Sequence, residues 1–523
     1  MSGSVIDINI DFNNIIADRS VIGHGIGFCL GYAVDSDIGA NRKITLDETV
    51  KQWNIKILRW PGGTISQYLL WNTMDERGVF HDPPRPRVVA RDLNPANAHY
   101  KPTDADGFFT RPIMGLDEFI DLTVKKNDIM PIICLPFMGD MYPGSVINYE
   151  DFMKTVAAQV QYIVDRGITG IYYEIGNEVE DHQLVRHISS DHAECAAFFN
   201  GRYDTIYQII KEIDPAAKIG PGLLLVAQPA WIQMTTLILD HVKDKMQMLP
   251  PHQYGNALSG GAKGPPSDYN TYRGFERDAA NRMRPVRAAM AAFGEKYAGM
   301  EFIVMEYNHR INNGGRYTDV GGVMYKTLFM MDIIGDMLSL PHTSYIAQWC
   351  SRSNFNNTPD TVDINRDDAH ALYPDGTPTL AGMPTLIASS HFKDQTAASV
   401  SSSRSVNAYA SRDSKTGAQA VIIVNKDDAA HKVNINMEGG LETDSADNVR
   451  TFVFTGANGL PADRDFSYKP VDSVTISGGK ISTSLPPVSI TVIDIGSQNP
   501  PPPAVTSTAS DNRTVVTNIT NIK

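Results

Sequence analysis

The chain has 523 residues, 42% of them hydrophobic, with 46 Lys and Arg against 59 Asp and Glu for a formal charge of -13. It is long enough for a barrel plus a second domain. The acidic balance and the lack of a Lys/Arg block argue against nucleic acid or an anionic membrane as main partner, and no window reaches the roughly 18 uninterrupted apolar residues of a membrane helix.

The amino terminus has neither the basic nor the apolar region of a signal peptide, so a cytoplasmic protein, or one whose export signal was removed or is unconventional, is expected. Cys29, Cys134, Cys195 and Cys350 are scattered without a Cys-x-x-Cys pair, which suggests buried thiols and neither a zinc knuckle nor a disulfide framework. No Walker loop or dinucleotide fingerprint appears, and no cofactor or metal is expected.

Ile6-Asp7-Ile8-Asn9-Ile10 alternates as a strand does, ahead of the first core strand, and is expected to pair with the β-rich carboxyl-terminal part. From about residue 21 to residue 350, strand-length apolar runs alternate with helix-compatible segments, the rhythm of parallel βαβ units, and the barrel domain is expected over residues 21–390. The eight candidate strands are Ile22 to Leu30, Ile55 to Trp60, Ile129 to Phe137, Ile171 to Val179, Lys218 to Leu225, Met248 to Tyr254, Phe302 to Tyr307 and Ser344 to Trp349. They predict a (β/α)8 barrel, with helices over Tyr149 to Arg166, Asp191 to Ile213 and Pro285 to Tyr297. The proline-rich stretch from Thr73 to Pro112 reads as a long loop after strand two, and Gly255 to Pro266 as a second loop on the same rim.

Residues 391–497 change to short strand-like runs, including Ala418 to Val424, Thr451 to Phe454 and Val488 to Ile495, which predict a β-sandwich that residues 1–20 complete. Residues 498–523, with Pro500 to Pro503 followed by Thr, Ser and Asn, read as an extended linker or tail. Asp363-Ile364-Asn365-Arg366-Asp367 echoes the start of a calcium loop, but Asp368 stands where that loop needs glycine, so it reads as a solvated loop. Sequons at Asn512 and Asn518 carry meaning only in a secreted protein.

Two strands stop at a carboxylate. Tyr173-Glu174-Ile175-Gly176-Asn177-Glu178 closes strand four, and Val304-Met305-Glu306-Tyr307-Asn308 closes strand seven. A bare Asn-Glu pair at a strand end serves equally well as a loop cap. A barrel, however, gathers the carboxyl ends of its strands at one mouth, so Glu178 and Glu306 are expected to face each other. Paired carboxylates are what glycosidic hydrolysis needs, one to protonate the leaving oxygen and the other to attack the anomeric carbon or activate water.

These segments resemble the clan A retaining glycoside hydrolases. Leu58-Arg59-Trp60-Pro61-Gly62-Gly63, Gly115-Leu116-Asp117-Glu118-Phe119 and Leu485-Pro486-Pro487-Val488 are similar to family 51, the α-L-arabinofuranosidases. The resemblance implies Glu178 as acid/base, Glu306 as nucleophile and Asn177 as the partner of the sugar hydroxyl beside the anomeric carbon. It implies Arg59 near the nucleophile, His252 and Tyr254 orienting nucleophile and substrate, and Trp349 as a face for a sugar ring.

Met305 and Tyr307 flank Glu306 where the family typically has Asp and Trp, which keeps other sugars in view. The alternatives are an endo-β-glycanase or glucuronidase-like enzyme of the clan, and a non-catalytic carbohydrate-binding barrel. The partner is a carbohydrate substrate, an oligo- or polysaccharide, and a homo-oligomer stays open.

Overall fold

The computed structural model describes the chain except residues 1–4, 32–35, 40–41, 68, 90–102, 105, 111, 142–144, 181–183, 224–228, 256–266, 275–299, 310–322, 353–369, 441–447, 473, 478–479, 498–499, 509–512 and 518–523. The helix expected over Pro285 to Tyr297, the calcium-like loop, both sequon asparagines and nearly all of the strand-six rim loop lie outside the described residues.

A parallel sheet forms the expected barrel. Its strands are Gly25–Gly31, Ile57–Gly62, Met130–Leu135, Tyr172–Ile175, Lys218–Pro221, the pair Met248–Leu249 and His252–Gly255, Glu301–His309 and Thr343–Trp349. Strand eight pairs with strand one, and the chain of pairings continues to strand five. Gln247 bridges the remaining seam to strand six, its backbone N–H donating to Ile219 O at 2.8 Å and its side chain accepting from Ile219 N at 3.0 Å. Strand six is interrupted because Pro250 and Pro251 have no N–H to offer the ladder, although Pro251 O still accepts from Met305 N at 3.1 Å.

Alternation sorts side chains between lumen and helix layer. Ile57, Ile132, Tyr172, Met248, Ile303, Met305 and Tyr345 cluster inside the barrel, while Leu58, Ile133, Tyr173, Val304 and Ile346 pack outward under the helices. One step nearer the mouth, the inward row carries Cys29, Arg59, Cys134 and Glu174, all fully buried. Helix Tyr149–Val164 starts on Asn148, whose side chain accepts from Asp151 N. Helix His192–Ile213 starts on Asp191 and stops at Asp214, ahead of Pro215.

The carboxyl-terminal strands form a continuous 12-stranded sheet. Ile6–Asp18 lies within it, parallel to His431–Glu438 and antiparallel to Gln395–Ser401. Its alternate residues Ile6, Ile8, Ile10 and Phe12 join Ala408, Val421, Ile435 and Ile493 in one core. The opposite residues of the central strands, among them Tyr409, Ile422, Phe452 and Val492, belong to the same apolar cluster as the barrel helices. Helix Met324–Met337 is buried there, and Gly335 lets it approach, since a Cβ would stand 2.4 Å from the Tyr409 ring.

The final segment differs from the expected linker or tail. Ala504–Thr508 pairs with Phe466–Pro470, and Arg513–Thr517 pairs with Ala504–Thr508. Once past Pro503 the residues donate N–H groups again, and the exposed sheet edge supplies their partners.

Candidate active site

The two strand ends reach the mouth by different backbone devices. After strand four the chain turns at Gly176, with φ of 85°, and Glu178 itself has φ of 47°. A side chain at Gly176 would place its Cβ 2.5 Å from Val179 Cγ1, and glycine is also needed at 222, where a Cβ would meet Gly176 O at 2.0 Å. A left-handed glutamate is uncommon and persists where the surroundings hold it.

Strand seven uses a bulge. Val304 pairs with Ile346 and Tyr307 with Gln348, so strand seven carries one residue more than its neighbour. Strict alternation would turn Glu306 outward, because Met305 already faces the lumen. The extra residue lets Glu306 face inward as well, while Tyr307 returns to the outer side and bonds Thr385 Oγ1 at 2.6 Å.

Arg59 organises the group. Its Nε donates to Glu174 Oε2 at 2.6 Å, Nη1 to Glu306 Oε1 at 2.7 Å and Nη2 to Asn177 Oδ1 at 2.6 Å. Both flanking carboxylates keep the guanidinium charged despite burial that opposes it, and its pKa lies well above the ordinary value. Cys29 and Cys134 sit against it, and burial pushes both thiols up. Gln67 donates to Asn177 O, and Asn177 Nδ2 is buried with no partner among the described residues.

His252 lies between the two acids. Its Nδ1 is 2.7 Å from Glu178 Oε1 and 3.5 Å from Glu306 Oε2, so its nearer partner is Glu178. Burial alone would lower the imidazole, but the negative charges of Glu306 and Glu178 outweigh it and raise the pKa. An oxygen of Glu178, a nitrogen of His252 and an oxygen of Glu306 lie within 4.8 Å of one another, a spacing at which a metal ion can be held. Arg59 already gives Glu306 its positive partner, and a divalent ion would meet that fixed charge, so the group does not suit a metal.

Trp349 is 7% exposed and packs over the Gly62-Gly63 turn. A Cβ on Gly63, which has φ of 69°, would fall 2.1 Å from the indole, and this explains the glycine pair after Arg59-Trp60-Pro61. Asn308 Nδ2 donates to Trp349 O. The strand-six backbone carries Tyr254 beside Asn308, but the Tyr254 side chain lies outside the described residues.

The site thus unites Arg59, Asn177, Glu178, His252 and Glu306 and adds Glu174 and Gln67, which sequence reasoning missed. Glu174 carried a signal: it follows Tyr172 by two residues and so shares its inward face. Gln67 sits in a short turn, Thr64–Gln67, with no periodicity to mark it.

No family model matches the chain, and no curated relative matches it. Solved structures match along nearly its whole length. A family 51 α-L-arabinofuranosidase from Bifidobacterium longum is 13% identical, with a TM-score of 0.63 over 94% of this chain and 99% of the other. The Thermotoga maritima α-L-arabinofuranosidase is 16% identical, with a TM-score of 0.62 over 94% and 99%. A Paenibacillus polymyxa xyloglucanase of glycoside hydrolase family 44 is 13% identical, with a TM-score of 0.61 over 95% and 100%. The chain therefore has the barrel-plus-β-domain fold found in these glycoside hydrolases.

Proposed function

We propose that the protein is a retaining glycoside hydrolase acting by double displacement. The observation that carries this reading is the approach of Glu178 and Glu306 oxygens to within 4.8 Å, with Arg59 on one acid and His252 facing both. That closeness of one oxygen from each acid agrees with the retaining arrangement, in which the two carboxyl groups lie roughly 5 to 5.5 Å apart.

Glu306, held ionised by Arg59, attacks the anomeric carbon while Glu178 passes a proton to the departing glycosidic oxygen. The C–O bond to the leaving group breaks as the bond to Glu306 forms. Water then attacks the same carbon, gives its proton to Glu178 and releases Glu306. His252 Nδ1 shares the proton on the Glu178 side, and Asn177 Nδ2 supplies a donor for a sugar hydroxyl.

An α-L-arabinofuranoside is the first substrate to test, on the likeness of the strand-two and final-strand motifs. An endo-acting β-glycanase is the second reading, since the xyloglucanase fold matches this chain as completely as the arabinofuranosidases do. Aryl glycosides distinguish them, followed by mass analysis of the protein trapped with a 2-deoxy-2-fluoro glycoside of the accepted sugar. A glycosyl adduct on the Glu306 peptide is expected. Release of product with inverted anomeric configuration would overturn the mechanism.

A further inference from the structure

Arg59 meets a different group along each edge of its guanidinium, and only one of them is the proposed nucleophile. Glu174 takes the Nε edge at 2.6 Å and is itself fully buried, one layer below the mouth. Its other oxygen, Oε1, has no partner among the described residues, so its tie to the protein runs through Arg59. A buried carboxylate on that footing is costly unless its charge is used.

We propose that Glu174 is a positioning residue, dividing the charge of Arg59 with Glu306 so that the arginine orients the nucleophile without binding it too tightly to attack. The proposal rests on Glu306 being the nucleophile. Arg59 is fixed by three short bonds and cannot turn from one acid to the other, so the balance between Glu174 and Glu306 is built into the strands. Among the described residues, the groups facing Glu306 include His252 from strand six, Glu178 after strand four and Cys29 from strand one, with Cys134 of strand three behind Arg59. Both thiols are neutral at working pH, so they do not take over the division.

Without the Glu174 charge, Arg59 is balanced by Glu306 alone. Glu306 then ionises at lower pH and reacts more slowly. In Glu174→Gln the acid limb of kcat/KM is expected to move down by about one pH unit and kcat to fall about tenfold, with KM changed less than about twofold. Glu174→Asp, which keeps the charge and shortens the reach, is expected to give a smaller shift in the same direction, and it decides the matter where the Gln variant does not fold. A wild-type acid limb and kcat in these variants, with only a lower melting temperature, would overturn the proposal and leave Glu174 a structural ion-pair partner.

If the wild-type protein cleaves no glycoside, the glycosidase reading itself fails. The balance of charge is then read by 15N NMR titration of His252, whose imidazole is expected to titrate at lower pH in Glu174→Gln because Arg59 is less neutralised. Superimposable titrations would overturn it.

Discussion

Two of the buried charge clusters among the described residues are composed in opposite ways. At the barrel mouth three carboxylates, Glu174, Glu178 and Glu306, share one guanidinium and one imidazole. Between barrel and β-domain a single carboxylate, Asp494, faces Arg450 at 2.7 Å, His391 at 3.5 Å and Lys393 at 3.8 Å. His391 also meets Tyr468 Oη at 2.7 Å, and burial lowers its pKa although Asp494 acts to raise it.

An excess of bases around one acid settles the charge of that acid. An excess of acids around one arginine leaves protons to be distributed, which is the condition under which two carboxyl groups take different roles. The contrast separates a site from a strut where burial alone does not.

The contrast breaks most visibly at Glu306. Glu306→Gln is expected to lower kcat/KM on an aryl glycoside by about 10⁴-fold or more, since the covalent route is lost, while thermal unfolding by circular dichroism stays cooperative. Glu178→Gln is expected to cost about 10² to 10⁴-fold on a substrate whose leaving group needs a proton. With a dinitrophenyl leaving group, which departs unaided, the first step should be nearly normal. Equal losses on both substrates would remove Glu178 from the acid role.

Much of this arrangement can be read from the chain alone, and the rest is hidden for identifiable reasons. The barrel strands are apolar runs closed by Gly, Pro or a polar residue, and Ile6 to Ile10 alternates clearly enough to announce a half-buried strand. Glu306 is visible as the end of such a run, but its orientation depends on a bulge that no residue between Val304 and Tyr307 signals. Glu174 is masked by the aromatic and aliphatic residues around it, and only its phase with Tyr172 marks it as inward. The four prolines at 500–503 drew the tail toward a linker, whereas the Val-Thr alternation after them was the stronger fact, because a sheet edge at Phe466–Pro470 was waiting for it. The junction cluster joins residues from a helix end and three strands, a convergence that spacing does not reveal.

At the junction the expected effect is on stability. Burial works against the Asp494 charge, but its bond to His391 and the charges of His391, Lys393 and Arg450 hold its pKa down at about 2. Against about 3.9 for an unfolded aspartate, that shift corresponds to roughly 2 to 3 kcal/mol, and Asp494→Asn is expected to lose at pH 7 the share owed to Arg450 and Lys393, since the lowered His391 is neutral there, by urea unfolding with catalysis unchanged. A folded pKa below the unfolded one means the contribution is present above about pH 3.9 and disappears as pH falls through 2. A variant as stable as the wild type at pH 7 would show that the three bases do not depend on their acid.

His252 carries the smaller effect and the opposite sign. Glu306 and Glu178 raise its pKa in the folded protein against the pull of burial, so folding favours the charged imidazole. Its contribution is therefore complete below about pH 6.5, the unfolded value, and is lost as pH rises through the raised folded value. The stability difference between wild type and His252→Gln should narrow on going from pH 6 to pH 9, while that between wild type and Asp494→Asn stays constant over the same interval. Where acids outnumber bases, alkali releases the proton that binds them together; where bases outnumber the acid, only strong acid reaches the tie. A His252→Gln difference that widens toward pH 9 would mean that the imidazole is neutral in the folded site.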